Sequence, residues 1–167
     1  MAADILLQFA PWLAGLEGPL AYLGIMALSF FGSATIVLPV IPAVIIVFGA
    51  GALLNPWLVG IAAGVGAALG ELVGYALGRG GNYAAKSKQK KYLQKAERLM
   101  EKYRAVVVIF AFAVTPLPFD VVGILCGVTK YDIKKFMVAT VAGKVVKFTL
   151  IALAAFYGIE WLSATFL

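Results

Sequence analysis

Between Glu17 and Glu71 the chain runs for 53 residues without a charged side chain. An α-helix rises ~1.5 Å per residue, so this stretch drawn out as one helix would measure about 80 Å. The hydrocarbon core of a bilayer is ~30 Å thick. The stretch therefore crosses a membrane more than once, or enters it and turns back. The remaining charge is unevenly placed. Residues 1–78 contain only Asp4, Glu17 and Glu71, whereas residues 79–104 contain nine of the 14 Lys and Arg. Only 13% of residues are charged, against ~25% in soluble chains. Residues 1–167 read as one all-α, multi-pass integral membrane domain, with no soluble domain and no linker.

The composition removes several chemistries. There is no His, and Cys126 is the single Cys. Triads built on His, a disulfide framework, a His/Cys zinc site and haem ligation by His are excluded. The acids form no close cluster, so no metal is expected, and neither is a cofactor or an enzymatic reaction. Cys126, inside the apolar run VVGILCG (121–127), reads as a small buried hydrophobe. A net charge of +6 would suit nucleic acid, but in a chain this apolar basic residues face lipid headgroups and set topology. The opening MAADILLQFAPWLAGLEG lacks the positive n-region of a secretory signal, since the first basic residue is Arg79.

Along the chain, residues 4–16 read as an interfacial or half-inserted helix and 18–32 as a first membrane helix, which together make up an N-terminal part over 1–32. Residues 33–55 are apolar but broken by Pro39 and Pro42. Proline removes a backbone donor and clashes with the preceding turn, so the segment predicts a re-entrant hairpin, followed by a full helix over 56–78. Residues 79–104 form a basic amphipathic loop. Tyr92, Leu93, Ala96, Leu99, Met100 and Tyr103 make one helical stripe within it. The positive-inside rule makes this loop cytoplasmic. Residues 105–127 are broken again, by Pro116 and Pro118, and predict a second hairpin. Three lysines in 128–135 then lie on the same side as the loop only if the hairpin re-enters. A last helix covers 133–158 and completes the second unit, 105–158.

A shift of 76 residues places Pro42 on Pro118, Gly51 on Gly127 and Glu71 on Lys147. With an odd number of crossings between them, the two units are expected to be inverted repeats, the architecture of secondary transporters. Ionisable residues inside a membrane are functional candidates by default. Four qualify: Glu71, Asp120, Lys144 and Lys147. By helical rise, Asp120 at a hairpin tip reaches Lys144, whereas Glu71 reaches it only if a helix bends. Two lysines with one nearby Asp leave a surplus positive charge, which favours an anionic ligand. The competing reading is a structural ion pair. Gly66, Gly70, Gly74 and Gly78 form a small-residue stripe for close helix packing, with a homodimer face or a lipid groove as alternatives. Arg79 stands where a headgroup phosphate would lie.

The segment GELVGYALGRGG (70–81) resembles the G-[DNE]-x-x-G-Y-x-x-G-R motif of the DedA superfamily, the SNARE-associated or VTT-domain proteins. FAFAVTPLPFDVVGILCG (110–127) resembles that family's second hairpin, and LPVIPAVIIVFGAG (38–51) its first. The resemblance covers about residues 30–155. It implies inverted repeats of hairpin plus helix, and movement of lipids between leaflets, with proton coupling inferred for some members. The best-studied bacterial members carry acids in the first hairpin, where residues 30–50 here have none, and Arg at the positions that look like Ala113 and Phe119. Lys144 and Lys147 are the positive charges that would stand in. The expected function is therefore translocation of a phosphate-bearing lipid, a phospholipid or a polyprenyl phosphate. Lys144, Lys147, Asp120 and Arg79 would meet the phosphate, and Glu71 would be the gate or proton site. The alternatives are a proton- or Na⁺-coupled transporter of a small solute and a structural assembly protein. Anionic lipids, not nucleic acid, are the expected partners.

Overall fold

A computed structural model describes residues 18–34, 43–80, 98, 100, 103–115 and 117–166, the stretch 159–166 by its backbone. Six helices are described: α1 (Pro19–Ala34), α2 (Ala43–Leu53), α3 (Pro56–Arg79), α4 (Ala105–Val114), α5 (Asp120–Val128) and α6 (Ile133–Phe166). No strand occurs among the described residues. Residues 1–17, Pro39, Pro42, Pro116 and most of the basic loop lie outside them.

Local chemistry explains the boundaries. Asn55 caps α3: its side-chain oxygen accepts the N–H of Trp57 at 3.1 Å and of Leu58 at 3.3 Å, and Pro56 occupies the first turn, where its missing N–H costs nothing. Asp132 caps α6 by accepting the N–H of Lys135 at 2.9 Å. Helix α4 closes at Thr115, whose N–H and hydroxyl both donate to the Ala111 carbonyl. Helix α5 ends in a Schellman motif. The Tyr131 N–H donates to Cys126 O at 2.8 Å and the Lys130 N–H to Gly127 O at 3.1 Å.

Helix α3 is the hub. Gly60 lies against Thr149 and Gly64 against Val145, so α3 and α6 run antiparallel in close contact. Gly66 lies against Met26 and Gly70 against Phe30 and Ser33, so α1 runs parallel to α3 on another face. Gly78 meets the Ile124 carbonyl of α5, and Gly74 has ordinary contacts with Asp120 and Ile124. Helix α2 packs on α6, where Gly51 abuts Ala152, and α4 packs on α6 through Ala113 and Gly143. One apolar cluster joins Ile25, Val47, Val59, Ala67, Phe148 and Ala152. A second joins Tyr75, Ile109, Phe112, Phe119, Val122 and Phe136.

Two helices are long and apolar enough to cross a membrane, Pro56–Arg79 and Ile133–Gly158. The outer surface carries exposed Leu20, Phe31, Leu58, Ile61, Val107, Val138 and Leu150, apolar exposure that suits a lipid environment. Two boundaries differ from the sequence expectation. Helix α1 continues through Gly32 to Ala34, so Ser33 and Ala34 belong to it and not to the segment expected to form a hairpin. Helix α6 continues through Gly158 to Phe166. A glycine inside a helix costs only ~1 kcal/mol, too little to end one by itself.

Candidate functional site

Where α3, α5 and α6 meet, four ionisable side chains gather. Lys144 Nζ donates to Glu71 Oε1 at 2.5 Å. Both residues are buried, with Glu71 3% and Lys144 6% exposed. The Lys144 ammonium also lies 5.0 Å from the centre of the Phe119 ring, a cation–π distance. Asp120, half-buried at the start of α5, is close enough to interact electrostatically with both Lys144 and Glu71, but makes no ion pair among the described residues. Lys147, one turn beyond Lys144, is half-buried, and its ammonium donates to the Thr115 carbonyl at 3.4 Å.

The ion pair therefore joins Lys144 to Glu71, where helical rise alone pointed to Asp120. The bundle contacts show why. With Gly64 opposite Val145, Lys144 stands about six residues from the level of Glu71, or ~9 Å along the axis. A lysine and a glutamate side chain reaching toward each other span that gap, and no helix has to bend. This pairing also alters the charge balance. Two carboxylates, Glu71 and Asp120, face two ammonium groups, Lys144 and Lys147, and the cluster has no surplus charge when all four are ionised. The expectation of surplus positive charge counted Asp120 alone.

Two buried polar atoms among the described residues lack a hydrogen-bond partner: Glu71 Oε2 and Ser29 Oγ. Ser29 lies on the stripe of α1 that contains Met26 and Ser33, the residues facing Gly66 and Gly70. It sits near the depth of Glu71. Sequence reasoning did not single out Ser29, and it named Phe119 only as a position where relatives carry Arg. A serine in the middle of an apolar helix was the available signal for the first. The cation–π contact of the second was not legible, because an aromatic next to an acid is ordinary.

Arg79 stands apart from this cluster, eight residues or ~12 Å along α3 from Glu71. Its Nη1 donates to Tyr75 Oη at 2.8 Å, and Tyr75 Oη donates to Tyr131 O at 2.5 Å. At that end of the molecule the Lys135 backbone N–H holds the Asp132 carboxyl below its ordinary range. No group of three or more potential metal ligands occurs among the described residues.

This arrangement of short helices against two long antiparallel helices coincides with a family match. Residues 41–157 match the VTT domain, the domain of the DedA and SNARE-associated proteins. The chain belongs to the VTT-domain family. No curated protein and no solved structure matches it. The VTT domain covers α2 through most of α6 and so contains Glu71, Asp120, Lys144 and Lys147. The family is generally one of transporter-like membrane proteins, and this chain is a membrane protein of that family.

Proposed function

We propose that this VTT-domain protein moves phosphate-bearing lipids between leaflets, with the headgroup passing along a polar seam between two re-entrant hairpins. The observation that carries the reading is Lys147. Its half-buried ammonium has a long hydrogen bond to a main-chain carbonyl, a partner that a phosphate oxygen replaces favourably. Lys147 stands 14 residues into α6, ~21 Å from its start. The α4–α5 turn that bonds it therefore lies deep within a ~30 Å hydrocarbon core, as a hairpin that enters and turns back requires.

The inverted repeat has its own support. A shift of 76 residues carries α2 onto 119–129, beside α5 at 120–128, and the start of α3 onto 132, beside the start of α6 at 133. It also carries the α2–α6 contact of Gly51 with Ala152 onto Gly127 and Ala76, and Gly127 lies against Tyr75, Gly78 and Arg79 of α3. In the mechanism we infer, Lys147 meets the phosphate and Asp120 orients the lysines. Glu71 holds Lys144 out of play until a proton on the carboxylate releases it. Ion-coupled transport of a small solute is the second reading, favoured by the charge balance of the four groups.

The test is leaflet exchange in proteoliposomes with a fluorescent phospholipid and, separately, a labelled polyprenyl phosphate, without an ion gradient. The native chain accelerates exchange over protein-free vesicles. Lys147→Ala slows it about tenfold or more, since a hydrogen bond to a charged group contributes ~1.5–3 kcal/mol. No acceleration of either lipid by folded protein would transfer the reading to gradient-driven solute transport.

A further inference from the structure

The end of the molecule where α3 stops and α6 begins departs from local preference at two neighbouring places, each time in favour of a positive charge. Lys130 adopts φ 53°, the left-handed position of the Schellman motif that closes α5. Glycine is the usual residue there, because a Cβ is strained in that conformation. Lys134 and Lys135 occupy the first turn of α6, which has no acid, although the helix dipole disfavours cations there. Arg79 is tied to the same corner. Two hydrogen bonds, through Tyr75 Oη, connect its guanidinium to the Tyr131 carbonyl, and Gly127 packs against its backbone. Arg79, Lys130, Lys134 and Lys135 are all exposed, and Asp132 is the acid among them. At ~1.5 Å per residue the 24 residues of α3 span about 36 Å, more than the ~30 Å hydrocarbon core, which sets Arg79 at the headgroup layer.

We propose that Arg79, Lys130, Lys134 and Lys135 form a docking surface for the headgroup of an anionic phospholipid at the membrane boundary, separate from the midplane cluster. The chemistry is that of a phosphate diester. Arg79 offers a planar fork of donors held in place by Tyr75, and the lysines add point charges around it. This goes beyond lipid translocation, because the surface holds lipid whether or not any lipid crosses.

The test is native mass spectrometry of the full chain, released from detergent and titrated with dioleoyl phosphatidylglycerol or, as the neutral reference, dioleoyl phosphatidylcholine. The native chain binds its first phosphatidylglycerol more tightly than phosphatidylcholine. The Lys130→Gly and Lys134→Gln variants each weaken phosphatidylglycerol about fivefold, the effect of one basic residue at a membrane surface, and leave phosphatidylcholine unchanged. Lys130→Gly unfolds at or above the native temperature, because glycine relieves the left-handed strain, so lost binding there is not lost folding. Trp57→Leu, at the opposite end of α3, leaves phosphatidylglycerol binding as in the native chain. Equal loss from that control, native binding by the Lys130 and Lys134 variants, or displacement of the lipid by equimolar inorganic phosphate would each overturn the proposal.

Discussion

Lys144 and Glu71 are a buried pair, and the cost of separating them is asymmetric. Removing one partner leaves an uncompensated charge in the bundle and destabilises by ~3–5 kcal/mol, whereas replacing both with apolar residues of similar size is close to neutral. Lys144→Ala is therefore expected to lower the unfolding temperature in detergent strongly, and Lys144→Met combined with Glu71→Leu to recover most of it. A second residue-scale expectation concerns Asp132. Its carboxyl is held below its usual range by the Lys135 N–H, so its stabilisation is present above the unfolded value and is lost as pH falls through the folded one. Thermal stability followed from pH 6 downward is expected to fall in the acid range, and Asp132→Asn to flatten that part of the profile. The four clustered ionisable residues were legible in the sequence because charge in an apolar run is conspicuous. Their pairing was not, because it depends on how two helices are staggered. That stagger is set by the contacts of Gly60 and Gly64 with α6, and helical rise counted along each helix separately does not contain it.

At the scale of elements, α3 owes its central place to glycines that admit neighbouring backbones on three faces. Gly66→Ala drives a methyl group into the backbone of Met26 and is expected to destabilise by ~1–3 kcal/mol, as overpacking does. Gly158→Ala is the matched contrast. It lies within α6 with nothing in reach of an added Cβ, and the change is expected to stabilise by ~0.4–1 kcal/mol. Thermal unfolding of the two variants, run side by side, measures both. The helices themselves were mostly visible in advance: 56–78, 105–127 and the start of the last helix at 133 agree with α3, with α4 and α5 together, and with α6. The errors fell at Gly32 and Gly158, where a weak helix former was taken as a stop. What ends a helix firmly here is a cap, as Thr115 does for α4 and the Schellman motif at Lys130 does for α5.

For the whole molecule, the decisive geometry is that α5 returns to the end of α3 from which Arg79 projects, with Gly127 against the Arg79 backbone. On the proposed re-entrant path Lys130 and Arg79 belong to one side of the membrane, and Trp57, at the opposite end of α3 and exposed, to the other. In a Cys126→Ser background, a cysteine at Lys130→Cys is expected to react with a membrane-impermeant maleimide only from the face that also labels Arg79→Cys. Trp57→Cys is expected to react only from the opposite face. Labelling of Lys130→Cys and Trp57→Cys from one face would remove the re-entrant path.

Helix α2 has a consequence for how such a chain is made. Its eleven residues, ~16 Å of helix, are too few to bridge the hydrocarbon on their own. The surface that receives Gly51 is Ala152, close to the far end of the sequence. A ribosome delivers α2 to the bilayer well before its partner exists. During that interval the newly made segment depends on the insertion machinery, or on α1 and α3, to keep it from slipping back out. The native arrangement closes only when α6 arrives, so the order of synthesis sets the order of assembly.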